Sequence, residues 1–373
     1  MKKPAVGIID YVGIKAGMHY YSLGLLEALN KQSFETYYCS NYRAQQSQYK
    51  TAIKLCFDAN IKKSFQGLLN LVSGLFFAIH FFKKKKVKVV IHHLFEVNTM
   101  VWCILSLYKL FGFKVWAIVH DIESFEKDNS NRIEKRVYQS VIDHLIVHNE
   151  FSKIALLQKV NQKIAHKLSV IPHGNYQNQI NNQLSKAVAR GKLNLANDTF
   201  YVLFFGQIKN VKGLDLLLKA IPKIDKVELL IAGKVWKDDF SIYQSIIEKR
   251  GIENQTKLWI RHISDEEKDY FFAAADLLVL PYKKIYQSGV LLMSLSYGLP
   301  ALVSDLPANR ETSANAAIYF TSENVSDLNS KLKSILDQTQ QLHELRDKSK
   351  ARAQDFEWNH ISSLYEKLLL TVI

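Results

Sequence analysis

Short apolar runs alternate with helix-sized amphipathic segments along the chain. Nearly all-apolar runs between polar turns are typical of buried parallel β-strands. The runs are AVGIID, VKVVIHH, KVWAIVHD, HLIVHN and LSVIPHG in the first half, and YVLFFG, VELLIAG, LWIRH, LLVLPY and PALVSD in the second. Helix-sized segments such as Tyr20–Asn30 and Val97–Phe111 lie between them. This alternation predicts an α/β fold with parallel sheets and helices on both faces.

A polar stretch interrupts the pattern near the middle of the chain. Residues 176–198 are rich in Asn and Gln and poor in large apolar side chains, which favours a linker. A length of 373 residues also favours two domains rather than one. We therefore predict two doubly wound, Rossmann-like domains over residues 1–175 and 199–355. Ligands bind such sheets at the carboxyl ends of the strands, so two facing domains would share a ligand in the cleft between them.

The composition favours a globular protein of a reducing compartment. With 48% hydrophobic and 23% charged residues, each domain can bury an ordinary core. The spacings of Cys39, Cys56 and Cys103 suit neither a disulfide framework nor a zinc site, so we expect a cytoplasmic location. The opening MKKPAVGIIDYVG is not expected to be a secretory signal, because Asp10 interrupts its short apolar run. It fits a first β-strand better.

The formal net charge of +14 is densest around one apolar segment, Leu68–Phe82. This segment is shorter than the roughly 20 residues of a spanning helix, so we expect it to be buried or interfacial. Lysines flank it at both ends, namely Lys62, Lys63, Lys83, Lys84, Lys85 and Lys86. They fit either a solvated turn or peripheral adhesion to an anionic inner membrane face, where each basic residue contributes about 1 kcal/mol. We find no nucleic-acid-binding motif, so nucleic acid is not an expected partner.

Two turns in the second half have the chemistry of a phosphate site. In FFGQIKNVKGLDLLLKA, a strand ends at Gly206 and a short turn carries Lys209 and Lys212. Two lysines at the carboxyl end of a strand suit a diphosphate; the alternative is that both are simply solvated, as lysines usually are. The turn is neither a Walker loop nor a GxGxxG dinucleotide motif.

The second turn is in PYKKIYQSGVLLMSLSYGLP, where Gln287, Ser288 and Gly289 lead directly into an apolar helix. The first N–H groups of a helix have no partner within it and bind anions. We therefore expect Ser288, Gly289 and the N–H groups of Val290 and Leu291 to form a second anion cradle. With the lysine turn, this helix end would neutralise the diphosphate of a nucleotide-sugar without a metal ion. No metal or other cofactor is expected, and no DxD-like pair lies near these strands.

In this order, the motifs resemble the GT-B glycosyltransferases of family 4 (group 1). FFGQIKNVKGLDLLLKA, ADLLVLPY and QSGVLLMSLSYGLPALVSD resemble the donor domain of that family. GIKAGMHYYSLGLLEALN resembles its glycine loop and first helix, and VHDIESFE, LIVHNEFSK and VIPHGNY resemble its successive strand ends. FEWNHISSLYEKLL resembles its closing helix, so residues 356–373 are expected to pack back on the first domain. The resemblance covers nearly the whole chain and implies nucleotide-sugar-dependent hexosyl transfer.

The resemblance also implies site residues. Lys209 and Lys212 match basic residues that meet the donor diphosphate, and Gly289 matches the start of the phosphate-binding helix. His120 matches a histidine that faces the sugar, and the adjacent Asp121 is placed with it as a catalytic candidate.

On the acceptor side, Gly17, Met18 and His19 match a loop near the reacting sugar or the acceptor, and His19 is a further catalytic candidate. The alternative for His120 and for His19 is a capping role. His148 and His173, the latter placed on the donor side, are weaker candidates, and the alternative for both is that they only bridge backbone groups.

The sequence departs from the family at two positions. Many members carry two glutamates eight positions apart, and those positions are Ile285 and Met293 here. Because the surrounding glycines and lysines are intact, the QSGV form resembles a variant branch. Tyr286 and Gln287 are the local polar candidates to face the donor sugar.

These expectations combine into a metal-independent glycosyltransferase, for which the resemblance favours retention of configuration. If the basic helix meets a membrane, the acceptor is a glycan or a polyprenyl-diphosphate-linked sugar of surface polysaccharide synthesis. The alternatives are a catalytically silent subunit that partners another transferase, and a nucleotide-sugar epimerase or glycan phosphorylase on the same two-domain plan.

Overall fold

The structure, a computed structural model, describes residues 3–13, 17–43, 49–58, 64–122, 131–181, 183–237 and 239–372. The chain divides into two compact units. The first comprises Met1–Gly174 and Phe356–Ile373, and the second comprises Asn175–Asp355. The predicted α/β fold class is confirmed, because each unit alternates helices with the strands of a parallel sheet.

Within the described residues, the sheet of the first unit has seven parallel strands in the order β3-β2-β1-β4-β5-β6-β7. Its elements are β1 (Ala5–Asp10), α1 (Met18–Lys31), β2 (Glu35–Ser40), β3 (Ala52–Leu55), α2 (Phe65–Lys84), β4 (Val87–Leu94), α3 (Thr99–Leu110), β5 (Lys114–Val119), α4 (Asn131–Arg136), β6 (His144–Val147), α5 (Glu150–Val160) and β7 (Leu168–Val170). The buried core packs strand residues such as Val6 and Ile118 against α1 residues such as Leu26. This arrangement brings the carboxyl ends of β4 to β7 side by side.

The sheet of the second unit has six parallel strands within the described residues, in the order β10-β9-β8-β11-β12-β13. Its elements are α6 (Lys186–Lys192), β8 (Phe200–Phe205), α7 (Leu214–Ala220), β9 (Val227–Ala232), α8 (Ser241–Arg250), β10 (Thr256–Trp259), α9 (Asp265–Ala274), β11 (Leu277–Leu280), α10 (Gly289–Tyr297), β12 (Ala301–Ser304), α11 (Pro307–Ser313), β13 (Ile318–Phe320), α12 (Val325–Asp337) and α13 (Gln341–Gln354). Because β8 and β11 are neighbours, the turns that follow them lie at the same edge of the sheet.

The last helix, α14 (Trp358–Leu370), belongs to the first unit. Trp358 packs where two glycines leave room, since a Cβ atom built on Gly24 or on Gly174 would lie 2.3 Å from its ring. Farther along α14, the Tyr365 hydroxyl lies 2.7 Å from the Tyr21 hydroxyl of α1. The closing helix is therefore part of the core of this unit.

The segment 176–198, predicted as a linker, is instead an integral part of the second unit. Its helix α6 is fixed by Asp276, which forms ion pairs with Lys186 and with Arg190, the latter at 2.8 Å. The Arg190 side chain is buried and also lies over the Tyr201 ring. The segment is ordered by these polar contacts, so its lack of large apolar residues was a misleading signal.

Candidate active site

The two predicted phosphate turns meet in the second unit. The backbone N–H of Lys283 donates to the carbonyl of Val211 at 2.9 Å. Gly213 lies between them in a left-handed conformation, with φ of 67°, and a Cβ atom there would lie 1.8 Å from the carbonyl oxygen of Pro281. Only glycine permits this approach. The turns after β8 and β11 thus form one continuous surface.

Aromatic rings position both lysines of the first turn. The Lys209 ammonium lies 4.7 Å from the centre of the Trp236 ring, and the Lys212 ammonium lies 4.0 Å from that of Tyr282. Such cation–π contacts contribute about 0.5–2 kcal/mol each and restrict a flexible side chain. Within the described residues, Lys212 has no carboxylate within ion-pair distance. No carboxylate among those described residues therefore neutralises its charge.

The neighbouring Lys283 has a different role. Its ammonium pairs with Asp215 at 3.0 Å and donates to the Asn210 side chain at 2.8 Å. These contacts join the two turns and pair the charge of Lys283 with Asp215, so Lys212 is better placed than Lys283 to meet an anionic ligand.

The start of α10 forms a cradle smaller than predicted. Ser288 is the N-cap residue, and its hydroxyl oxygen accepts from the Leu291 N–H at 3.2 Å. The Ser288 hydroxyl and the Leu291 N–H therefore bond to each other and are not available to an anion. Within the described residues, the N–H groups of Gly289 and Val290 have no hydrogen-bond partner. A Cβ atom on Gly206 would lie 3.4 Å from the Val290 side chain, so the helix start lies beside the first turn.

The two positions at which many family members carry glutamate are buried in the second unit. Ile285 and Met293 are 6% and 8% exposed. Apolar side chains suit such positions, because an unpaired carboxylate would be costly to bury there. Of the two polar candidates, Tyr286 is also buried, whereas Gln287 is half-buried. Gln287 is therefore the better placed to reach a ligand.

A cavity of about 490 Å³ lies at the opposite end of α10. Its lining includes Tyr297, Gly298 and Lys350 but none of the donor-side residues named above. The candidate phosphate site is thus distinct from this cavity.

In the first unit, four buried histidines gather at the carboxyl ends of four neighbouring strands. They are His93 in β4, His120 after β5, His148 after β6 and His173 after β7. All four rings lie around the ring of Tyr21, with centroid distances between 4.7 and 5.9 Å. His93 was not predicted from the sequence, because within VKVVIHH it looks like one more residue of a buried strand.

Hydrogen bonds fix these rings in different ways. Nδ1 of His93 lies 2.9 Å from Nε2 of His120, and Nε2 of His93 lies 3.0 Å from the Ser22 hydroxyl. His148 and His173 each donate from Nδ1 to a backbone carbonyl, at 3.0 and 2.6 Å respectively. These two therefore have the bridging role that the sequence left open for them. His120 bonds instead to the side chain of His93.

Burial keeps the four histidines neutral. It lowers the pKa of His93 and His173 to about 3 and that of His148 to about 4, and it lowers the pKa of His120 well below its usual range. A neutral imidazole presents one donor and one acceptor nitrogen. His120 can therefore accept or donate one hydrogen bond at neutral pH, but it does not supply a positive charge.

The remaining predicted residues of the first unit lie near the start of α1 and after β5. Gly17 is the N-cap residue of α1, with φ of 67°, and Met18 is half-buried. His19 is buried, and its ring packs against Tyr20 and Tyr42 with centroids 4.0 and 4.6 Å away.

The half-buried Asp121 follows His120. His173 also lies in this unit, whereas the other predicted donor-side residues lie in the second. Lys62 and Lys63 lie outside the described residues. Within the described part of the chain, no group of three His, Cys, Asp or Glu residues is placed to hold a metal ion.

A family model described as Glycosyl transferases group 1 matches residues 185–354, all of which lie in the second unit. These residues form a group 1 glycosyltransferase domain. The matched segment includes both turns and the α10 helix start. The chain is therefore a glycosyltransferase, as the sequence resemblance predicted. No curated protein sequence matches the chain.

Solved structures of glycosyltransferases share the fold over nearly the whole chain. Sucrose-phosphate synthase from Thermosynechococcus elongatus is 18% identical with a TM-score of 0.79, covering 99% of this chain and 100% of that one. HepE from Anabaena, in complex with UDP-glucose, is 15% identical with a TM-score of 0.77 and the same coverage. WaaG, a glycosyltransferase involved in lipopolysaccharide biosynthesis, is 15% identical with a TM-score of 0.68, covering 97% and 99%. The GT-B fold is confirmed.

Proposed function

We propose that the group 1 domain binds a nucleotide-diphosphate sugar and transfers the sugar to a glycan or a polyprenyl-diphosphate-linked acceptor. The observation that carries this proposal is the convergence of Lys209, Lys212 and the α10 helix start on one surface. HepE binds UDP and UDP-glucose, and starch synthase IV from Arabidopsis thaliana binds ADP, which supports a nucleotide donor here. The QSGV turn would define a family 4 branch without the paired glutamates.

The reaction needs the diphosphate to leave as the sugar acquires oxocarbenium character. Negative charge then builds on the phosphate oxygens next to the sugar. Two fixed ammonium groups and the positive end of a helix stabilise that charge more in the transition state than in the ground state. Lys209 and Lys212, with the N–H groups of Gly289 and Val290, would serve this purpose without a metal ion. Retention of configuration belongs to the same proposal.

Nucleotide binding tests this proposal. Thermal-shift and calorimetric titrations would compare UDP, GDP and ADP, each with EDTA present. We expect one nucleotide to bind, and we expect Lys212→Ala to weaken that binding about tenfold or more, because charge-assisted contacts to phosphate contribute about 1.5–3 kcal/mol. Lys333→Ala is the matched control, since Lys333 is an exposed lysine of α12 in the same unit. Equal affinities for both variants, or no binding of any nucleotide, would refute the proposed donor site.

We also propose that α2 attaches the protein to an anionic membrane surface. By length and composition alone, Phe65–Lys84 is long and apolar enough to span a membrane, with a mean hydropathy of 1.5. Its outer face is exposed, including Phe65 at 76% and Phe77 at 52%. Exposed apolar stripes of this kind, bordered by lysines, are typical of helices that lie in a membrane interface.

The lysines after α2 are compatible with this role. Lys83, Lys84, Lys85 and Lys86 are all exposed. Lys83 donates to the Phe111 carbonyl at 3.1 Å and so also has a local structural role. A lipid-linked acceptor would be reached from this surface, and the role of WaaG in lipopolysaccharide biosynthesis supports that substrate class. A location on the cytoplasmic face of the membrane is part of this proposal.

A further inference from the structure

A basic pocket lies at the amino-terminal edge of the first sheet, where β1, β2 and β4 begin. Ala5 in β1 is in register with Glu35 in β2 and with Val87 in β4, so these strand starts are neighbours. The pocket has a volume of about 300 Å³. Among the described residues, its charged lining consists of Lys3, Lys85, Lys86, Lys88 and Glu35. Four ammonium groups around one carboxylate leave an excess of positive charge, which favours a phosphate group as ligand.

Two of these lysines, Lys85 and Lys86, have no carboxylate within ion-pair distance among the described residues. The Lys85 ammonium lies 5.7 Å from the centre of the Tyr37 ring, and the Tyr37 hydroxyl donates to Glu35 at 2.9 Å. Lys3 donates at 3.1 Å to the backbone carbonyl of the residue that follows α1. The described contacts therefore orient the lining without neutralising Lys85 and Lys86.

The backbone at Lys86 supports a role for its side chain. Lys86 follows the C-cap residue of α2 and has a φ of 57°, in the left-handed region. Glycine is the usual residue at such a position, because a Cβ atom is strained there. A lysine in its place costs stability and adds a positive charge to the pocket. Strain of this kind is typical of functional positions.

The exposed face of α2 leads to this pocket. Its exposed apolar residues recur at intervals of three or four positions, which places them in one stripe. They are Phe65, Leu69, Val72 and Phe76. The stripe continues through the exposed His80 to Lys83 and Lys84, and the next two residues line the pocket. An apolar stripe that ends at a cationic pocket matches the two parts of an anionic membrane lipid.

We propose that the basic pocket binds the phosphate headgroup of an anionic lipid while the α2 stripe lies in the membrane interface. This inference rests on the membrane attachment proposed above for α2 and adds a recognised lipid to it. The four lysines favour a phosphomonoester, which carries about two negative charges, over a phosphodiester, which carries a single charge. The pocket lies at the strand starts, whereas the candidate catalytic histidines lie at the strand ends. The lipid bound here is therefore an anchor and not the sugar acceptor.

Calorimetry with a water-soluble lipid tests the pocket without a membrane. The full-length protein would be titrated with dihexanoyl phosphatidic acid, with dihexanoyl phosphatidylglycerol and with inorganic phosphate. We expect phosphatidic acid to bind most tightly of the three. We expect Lys86→Gly to weaken that binding about tenfold or more, because charge-assisted contacts to phosphate are strong. Lys333→Ala is the control, since Lys333 is exposed in the second unit.

Three results would overturn the proposal. The first is equal affinity of Lys86→Gly and Lys333→Ala for phosphatidic acid. The second is binding of phosphatidylglycerol or inorganic phosphate that is as tight as that of phosphatidic acid. The third is no binding of phosphatidic acid at all.

A second substitution at the same position separates charge from structure. Glycine relieves the left-handed backbone, so the urea midpoint of Lys86→Gly should be at least that of the wild type. Lys86→Gln keeps the strained backbone and removes only the charge. We expect both variants to bind phosphatidic acid equally weakly, whatever the difference in their stability. Wild-type binding by Lys86→Gln would show that the charge of Lys86 has no role in the pocket and would refute the proposal.

Sedimentation with phosphatidylcholine vesicles that contain phosphatidic acid distinguishes the pocket from the α2 contact. Phe77→Ser should bind the soluble lipid as the wild type does but bind the vesicles less, because Phe77 is exposed on α2 and does not line the pocket. Lys86→Gly should lose affinity in both measurements. If the wild type bound the soluble lipid but not the vesicles, the attachment of α2 would fail while the pocket stood. Binding to vesicles without binding of the soluble lipid would refute the pocket alone.

Discussion

Gly213 is where the two donor-side turns touch, and its substitution should separate them. Alanine there would combine a left-handed backbone with a Cβ atom 1.8 Å from a carbonyl oxygen. We expect Gly213→Ala to lower the free energy of unfolding of the second unit by at least about 2 kcal/mol, measured by urea unfolding. Gly191→Ala is the control, because Gly191 lies in α6 with nothing within 4 Å of its Cβ position. That variant should be neutral or more stable, by up to about 1 kcal/mol, and comparable losses in both would contradict this account.

Single residues also show which parts of the candidate site a sequence pattern can predict. Lys212 and Gly289 could be placed at one edge of the second sheet, because a lysine after a strand and a glycine at a helix start follow from local sequence. Leu291 was assigned to the same surface in error, since the Ser288 hydroxyl already occupies its N–H. His93 and His120 are far apart in the chain and meet only because β4 and β5 pair in the sheet. No local pattern contains that contact.

Among the elements, the exposed face of α2 has the clearest functional consequence. We expect the protein to sediment with vesicles that contain anionic lipid and not with purely zwitterionic vesicles. Phe77→Ser should reduce binding about tenfold or more, because a buried aromatic side chain contributes about 1.5–3 kcal/mol. Ile242→Ser is the control, since Ile242 is 63% exposed on α8 of the second unit. Equal binding of the two variants would exclude α2 as the membrane contact.

The elements differ in how well the sequence predicts them. Strands such as β5 and β9 are nearly all apolar, and their burial pattern matches that composition. The pattern did not predict β2, β3 or β13. β2 mixes aromatic and polar residues, β3 is a partly exposed edge strand of four residues, and β13 has only three. Such strands form because a neighbouring strand offers hydrogen bonds, which a single sequence does not record.

At the scale of the whole molecule, acid should destabilise the first unit before the second. The pKa of His148 is about 4 in the folded state and about 6.5 when unfolded, and those of His93 and His173 are about 3. The unfolded chain therefore takes up protons first, and the stability present above pH 6.5 is lost as the pH falls toward 4. In the second unit, the pKa of Glu267 is lowered to about 2. The stability that its carboxylate contributes is therefore lost only as the pH falls below about 4.5.

Urea unfolding at pH 7, 6 and 5 measures this dependence. Each buried histidine should lower the free energy of unfolding by about 1.4 kcal/mol per pH unit below 6.5. His148→Gln should therefore show a shallower decline than the wild type. His343→Gln is the control, because His343 is exposed in the second unit. A decline that is equally steep in His148→Gln would show that this histidine is not held neutral by burial.

A length of 373 residues predicts two units, and the α/β fold of each follows from strand–helix alternation, which persists along the chain. The position of residues 176–198 does not follow from it, because Lys186 and Arg190 are fixed by the distant Asp276. A polar segment indicates a linker only when its charged side chains have no buried partner elsewhere in the chain. That partner lies almost 90 residues farther along the chain.

The packing of Trp358 against Gly24 and Gly174 has a consequence for synthesis on the ribosome. The second unit is made from consecutive residues and can fold as soon as residue 355 has emerged. Synthesis of the first unit begins earlier, but its folding cannot be completed before α14 has been made. The groove beside Gly24, which Trp358 fills, therefore stays open while the intervening segment is translated. A nascent chain in this state exposes apolar surface and is a natural client for chaperones. The part of the protein that is made first is thus completed last.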